Sequence, residues 1–208
     1  VLCGGSPILH AEQSDIVEAT YAKDANPIVS ILEAEGIRSL ATALPRIMTD
    51  PNSLTARSLA LFGAWLCGKC LATTSVALHH KLCHVLGGSF NLPHAETHAI
   101  ILPHVVTYNA PNISETMKAL EEVIPNSNGD AIQALNLLLF RLGTPTSLQE
   151  LGMKEEDIDK AVDILMAKPF WNPRTIEREP IRELIRRAWK GEPARVDLDP
   201  IPPTGQGI

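Results

Sequence analysis

The chain has 208 residues, 18 basic and 24 acidic, for a net charge of −6 at pH 7, and is 45% apolar and 20% charged. That length and balance suit one soluble domain with a substantial core, and the absence of a basic cluster interleaved with aromatics excludes an obvious nucleic-acid surface. Four Cys without a Cys-rich framework predict thiols in a reducing, cytoplasmic setting.

Val1-Leu2-Cys3-Gly4-Gly5 has no initiator Met, no basic n-region and no signal-peptide pattern, so the chain reads as a fragment without a leader. Gly4-Gly5-Ser6 lacks the preceding strand and the further glycines of a phosphate loop. Asn26-Pro27 places a cap residue before a first-turn Pro, and Ile28, Leu32, Ile37, Leu40 and Leu44 follow at helical intervals; Pro45 and Asp50-Pro51 should end that helix. A second start at Asn52-Ser53 opens an apolar run that the pattern carries through His84 to a stop at Gly87-Gly88. Within it, residues 59–78 hold one charge, Lys69, yet the interspersed Gly and Thr favour a buried helix over a membrane span. Cys67-Gly68-Lys69-Cys70 is a lone C-x-x-C on this helix, and packing explains it better than metal or redox chemistry.

Pro93 begins the next helix, carrying His94 and His98, which Pro103 should end or kink. Ile113, Met117, Leu120 and Ile124 mark another. Asn128-Gly129-Asp130 is a turn before a helix over 130–142, closed by Gly143. Ser147 with Glu150 fits a capping box, and Ile158, Val162 and Leu165 continue the helical spacing. The last helix spans 179–190, with Ile181, Leu184, Ile185 and Ala188 on one face and Gly191 as its stop. Pro193, Pro200, Pro202 and Pro203 then read as a disordered tail. No alternating strand pattern occurs, so the class is all-α. The expected divisions are 1–17, a divergent N-terminal segment; 18–192, the helical domain; and 193–208, the tail.

Six of the seven histidines, at 79, 80, 84, 94, 98 and 104, fall within one stretch of about thirty residues. His80 and His84 share a helix face, and a turn returning the chain at Gly87-Gly88 would bring His94 beside them. Converging neutral imidazoles can ligate a divalent metal or donate hydrogen bonds and protons to a polar substrate. His79 and His104, taken singly, read as hydrogen-bonded packing residues.

The run from Leu78 to Asn109 resembles the iron-containing alcohol dehydrogenases, whose helical domain carries H-x-x-x-H-x-L-G, then P-H, then L-P. Here those are His80, His84, Leu86, Gly87, Pro93, His94, Leu102 and Pro103. Within that family the run is most similar to the maleylacetate reductases, and Tyr21–Pro27, Gly63–Gly68 and Asn172-Pro173-Arg174 fit the same pattern.

The resemblance implies the helical C-terminal domain of a dehydroquinate synthase-like fold, with the family's N-terminal α/β nucleotide domain absent. It further implies a reductase passing hydride from NADH or NADPH to the conjugated double bond of maleylacetate, giving 3-oxoadipate. The implied partners are an unsaturated dicarboxylic acid and, as a homodimer, a second copy; no membrane is expected. By the family pattern His80, His84 and His94 are catalytic, His84 lies on the nicotinamide side, and His80 and His94 bind substrate.

The family's first helix carries Asp-x-x-x-His-x-x-Glu. Aligned back from Glu18 without a gap, those positions hold Ala11 and Asp15; with a five-residue insertion they hold Ser6 and His10. His10 joins the substrate site only in the gapped register. Neither register supplies the metal-binding Asp, so no metal is expected. The alternative is a metal-dependent alcohol dehydrogenase domain using His80 and His94, with His10 or Asp15. A truncated, non-catalytic homologue acting as a helical binding or dimerisation protein is the third reading.

Overall fold

In the computed structural model, residues 17–196 are described, and all their regular structure is helical. Among the described residues, 17–19 are helical, and the longer α-helices are α1 (Pro27–Thr49), α2 (Leu54–Leu71), α3 (Leu78–Phe90), α4 (His94–Asn109), α5 (Ser114–Val123), α6 (Ala131–Arg141), α7 (Asp157–Met166) and α8 (Arg178–Lys190). A 3-10 turn, Ala110–Asn112, joins α4 to α5. Among the described residues no helix is long and apolar enough to cross a membrane.

Local chemistry sets the helix starts. Asn26, Ser53 and Asp130 each accept a hydrogen bond from a first-turn N–H, at Val29, Ala56 and Gln133 respectively. α1 ends at its cap residue Asp50, where Asp50-Pro51 is expected to stop it, but two prolines lie within helices that run on past them. Pro45 lies inside α1, which runs on to Thr49, and Pro103 lies inside α4. Each removes one N–H from its helix, but Pro103 is buried, and packing on all sides holds the helix through that loss.

Two further expectations are corrected. The apolar run into the histidines is broken: α2 ends at Leu71 and α3 starts at Leu78. Thr73 and Thr74 hydroxyls donate to the Cys70 carbonyl, competing with the backbone ladder, and Asp24 accepts from both the N–H and hydroxyl of Ser75. Nor does α3 stop at Gly87-Gly88. It continues to Phe90 and ends at Asn91, which takes the left-handed conformation (φ 55°) just ahead of Pro93. Glycine permits a stop, but Asn91 and the following proline enforce one.

Ser147 accepts from the Glu150 N–H, yet no helix follows there; the chain turns and α7 begins only at Asp157. Where the sequence pattern begins a tail at 193, Ala194 is buried and exchanges two hydrogen bonds with the Asn136 amide. Residues 1–16 and 197–208 lie outside the described residues, and with them His10, Ala11, Asp15 and Ser6.

Among the described residues the core has, besides a small cluster of Tyr21, Ala77 and Ile113, two large apolar clusters sharing one helix. One is built from α1, α2, α5 and α6, the other from α3, α7 and α8. α4 gives Leu102 and Val106 to the first and Ile101, Val105 and Tyr108 to the second, so it is buried nearly all round. α1 and α2 pack against each other, and Gly63 lies in close contact with α1. A Cβ there would lie 2.9 Å from Leu40 Cγ and 3.2 Å from the Gly36 carbonyl oxygen. Gly63→Ala is therefore expected to destabilise the protein by about 1–3 kcal/mol through overpacking; an unchanged urea midpoint would show that the helix pair can part without cost.

Candidate functional site

The site is made by α3 and α4, joined through Asn91, Leu92 and Pro93. Four imidazoles close into a quadrilateral. Ring centroids are 5.4 Å apart for His80–His84, 6.5 Å for His84–His94, 4.1 Å for His94–His98 and 5.3 Å for His98–His80. His84 and His94 form the exposed edge; His80 and His98 form the buried one. The anticipated group of His80, His84 and His94 is thus assembled in one place.

Two members of the cluster were not anticipated as site residues. His98 fills the fourth corner, one helical turn beyond His94; the spacing of four between them was the available signal. His79 stands behind, its ring 5.0 Å from His98, and its Nε2 donates to the His98 carbonyl at 3.1 Å. A carbonyl only accepts, so His79 carries its proton on Nε2. His104 does not join the cluster.

The third unanticipated member is Glu18, 1% exposed, from residues 17–19 just ahead of α1. Its carboxylate accepts from the His79 N–H at 2.7 Å and the His80 N–H at 3.4 Å, and lies 3.3 Å from His80 Nδ1. The Leu78 N–H donates to Asn172 Oδ1 at 3.4 Å. The three N-terminal donors of α3, which has no local cap, are therefore met by residues remote in sequence.

Burial alone would raise the Glu18 pKa. The His80 ring 3.3 Å away, the charges of His79 and His80 and a backbone hydrogen bond at Ala77 outweigh it and hold the carboxyl below its ordinary value. With Nδ1 of His80 facing a carboxylate, the chemistry His80 offers a ligand is that of Nε2.

Behind this frame, Asn172 and Asn109 pair through their amides, the Arg174 guanidinium donates to the Tyr108 carbonyl, and Tyr108 donates to the Thr175 carbonyl. The Tyr21 hydroxyl is buried near the Glu18 charge; burial first, then that charge, pushes its pKa well above the usual value. On α2, Cys70 is buried, and its thiol is pushed up to about 11 by burial and by the charge of Glu33, so it is no reactive thiolate.

Metal binding can be tested on the donor set. Among the described residues, two groups bring three donor atoms within 4.8 Å of one another: Glu18, His79 and His80, and His79, Cys83 and His98. Neither contains His84 or His94. The described residues alone thus give no complete ligand set around the His80–His94 pair, and no step is routed through a metal. Nor, among the described residues, does a glycine-rich strand-to-helix turn offer a pyrophosphate site.

The described residues thus form an all-helical domain that gathers imidazoles at a helix–turn–helix edge. Residues 12–189 match the C-terminal domain of the Fe-containing alcohol dehydrogenase family, and the chain belongs to that family. The family is one of oxidoreductases.

Maleylacetate reductase from Pseudomonas sp. (strain P51) is 47% identical over 193 residues, covering 93% of this chain and 53% of that protein. The crystal structure of maleylacetate reductase from Rhizobium sp. strain MTP-10005 superposes with a TM-score of 0.83 at 43% identity, over 88% of this chain and 51% of that one. An iron-containing alcohol dehydrogenase from Corynebacterium glutamicum ATCC 13032 gives 0.83 at 36% identity, over 90% and 53%. The chain spans about half the length of the curated relatives it matches.

Proposed function

We propose that this chain is the helical half of a maleylacetate-reductase-type enzyme, which reduces the carbon–carbon double bond of an unsaturated oxo-dicarboxylic acid. The observation that carries the reading is the exposed His84–His94 edge, backed by a His80 ring held against Glu18. The 47% identity to a maleylacetate reductase supports the substrate class.

NADH or NADPH would supply the hydride. Hydride addition at the alkene carbon remote from the ketone moves the π electrons onto the ketone oxygen as an enolate. Imidazole N–H groups of His80 and His94 aimed at that oxygen would stabilise the growing charge as it forms, where it counts toward rate. The enolate then takes a proton at the carbon beside the ketone, and an imidazolium of the cluster is the acid that can deliver it. His84, exposed and inclined 29° to the His94 ring, is assigned the nicotinamide side of the pocket.

In the full-length polypeptide, His84→Ala is expected to lower maleylacetate-dependent oxidation of NADH or NADPH about 100-fold, the usual size of a lost acid–base or charge-stabilising group. Since His84 is exposed, the fold should survive. An unchanged rate would remove His84 from the mechanism. A stoichiometric divalent ion in the purified protein, lost in His80→Ala and His94→Ala, would replace this reading with a metal-dependent alcohol dehydrogenase.

A further inference from the structure

The hairpin of α3 and α4 is closed at both ends. At one end the chain itself joins the helices through Asn91, Leu92 and Pro93. At the other, the first residue of α3, Leu78, and the last of α4, Asn109, share one side chain, that of Asn172, from the segment between α7 and α8. Asn172 Oδ1 accepts from the Leu78 N–H at 3.4 Å and from the Asn109 amide at 3.3 Å. Its Nδ2 donates to Asn109 Oδ1 at 2.8 Å and to the Arg174 carbonyl at 2.7 Å. Both donors and both lone pairs of the amide are thus in use. A flipped amide would set N–H against N–H at Leu78 and oxygen against oxygen at Arg174, so backbone groups on two sides fix its orientation.

Asn172 is itself held in place. The Arg174 guanidinium donates to the Tyr108 carbonyl at 2.8 Å and lies 4.2 Å over the Tyr108 ring, which fastens the 172–174 segment to the last turn of α4. Of the two side chains that cap α3, Glu18 and Asn172, Asn172 is the one that also bonds to α4.

We propose that Asn172 is a positioning residue for His80, acting through the first turn of α3. His80 lies two residues from the end that Asn172 holds, His84 is one turn farther in, and His94 adjoins the covalent turn. Loosening the amide clamp therefore displaces His80 from His98, whose ring is 5.3 Å away, ahead of His84 or His94. A donor that must meet charge as it forms tolerates little displacement, and about 1 Å can cost 100-fold in rate. The kinetic consequence rests on the reductase reading; the structural one does not.

The test compares Asn172→Ala and Asn172→Asp in the full-length polypeptide. Aspartate keeps an acceptor for the Leu78 N–H, at a helix start that favours a carboxylate, but has no donor for Asn109 Oδ1 or the Arg174 carbonyl. Both variants should unfold at lower urea than the parent. Asn172→Ala should lower kcat with maleylacetate about tenfold or more while KM is little changed. Asn172→Asp should stay within about threefold of the parent rate, because the hold on α3 survives. A residue that only supported stability would give the two variants rates that follow their stabilities.

Imidazole resonances followed by NMR supply the second readout, assigned from their loss in His80→Gln, His84→Gln and His94→Gln. In Asn172→Ala the His80 ring signals should shift while those of His84 and His94 stay in place. An unchanged kcat in Asn172→Ala, an Asn172→Asp as slow as Asn172→Ala, or His80 signals that move no more than the others would each overturn the proposal. If the parent does not reduce maleylacetate, the reductase reading falls and the resonances alone decide the positioning role. If Asn172→Ala does not fold, Arg174→Gln loosens the same clamp by removing the guanidinium bond to the Tyr108 carbonyl. A shift confined to His80 in that variant would support the proposal, and its absence would overturn it.

Discussion

Glu18→Ala is expected to lower the unfolding free energy at pH 7 by about 3–5 kcal/mol, the range for removing one partner of a buried ion pair. The change strips the first turn of α3 of the acceptor for two N–H groups and takes the carboxylate from His80 Nδ1, all at a position 1% exposed. Glu18→Gln should cost less, because its amide oxygen can still accept from the helix while the charge opposite His80 is gone.

The pH dependence has a definite sign. The folded protein holds the Glu18 pKa below its ordinary value of 4.5, so this contribution is present above that value and lost as pH falls through the folded pKa. Urea unfolding at pH 7 and again in acid should therefore show the Glu18→Ala deficit shrinking as pH drops. A variant within about 0.5 kcal/mol of the parent at pH 7, the range of an ordinary surface change, would mean that Glu18 braces neither the helix nor His80.

The second large effect runs the other way. Glu33, on the buried face of α1, has 0% exposure, and neither carboxyl oxygen has a hydrogen-bond partner. Burial pushes its pKa from 4.5 up to about 8. The native state thus holds a proton that the unfolded chain releases, and stability is fully present below about pH 4.5 and declines as pH rises through about 8.

Glu33→Gln removes the titration while keeping the shape, so its gain over the parent should grow to about 5 kcal/mol by alkaline pH and vanish in acid. Parallel stability–pH profiles test this directly. Curves that stay parallel from pH 5 to pH 9 would show that Glu33 is not the buried acid the fold tolerates.

The all-α class was legible because nearly every segment carries helical spacing and its own cap residues, and those are local signals. Site residues were legible where they sit on the same two helices: His80, His84 and His94 follow from four-residue spacing and a turn. What failed depended on distant partners. Pro103 stays in a helix because α4 is wrapped by two cores, which no window around residue 103 reveals. The break at 72–77 is tied by Asp24, far away in sequence. Glu18 could be matched to a motif position, but its work as a cap for α3 and a counter-charge for His80 exists only once the chain has folded. By contrast, the stop expected at Gly87-Gly88 falls instead at Asn91, where the left-handed conformation and the following Pro93 end the helix locally.

The imidazole frame closes over short range and is braced over long range. His79 reaches the His98 carbonyl across 19 residues, whereas Glu18 reaches His79 across 61 and Asn172 reaches Leu78 across 94. Loop entropy grows only with the logarithm of length, so either brace costs about 1 kcal/mol more to close than the frame itself. The difference is one of sequence in time. The hairpin of α3 and α4 can find its own contacts early, as local pairings do, while the carboxylate and amide that fix its charge and first turn must wait for both ends of the domain to arrive. Histidines brought together before those braces would have shape without electrostatic definition, so completion of the site coincides with completion of the fold.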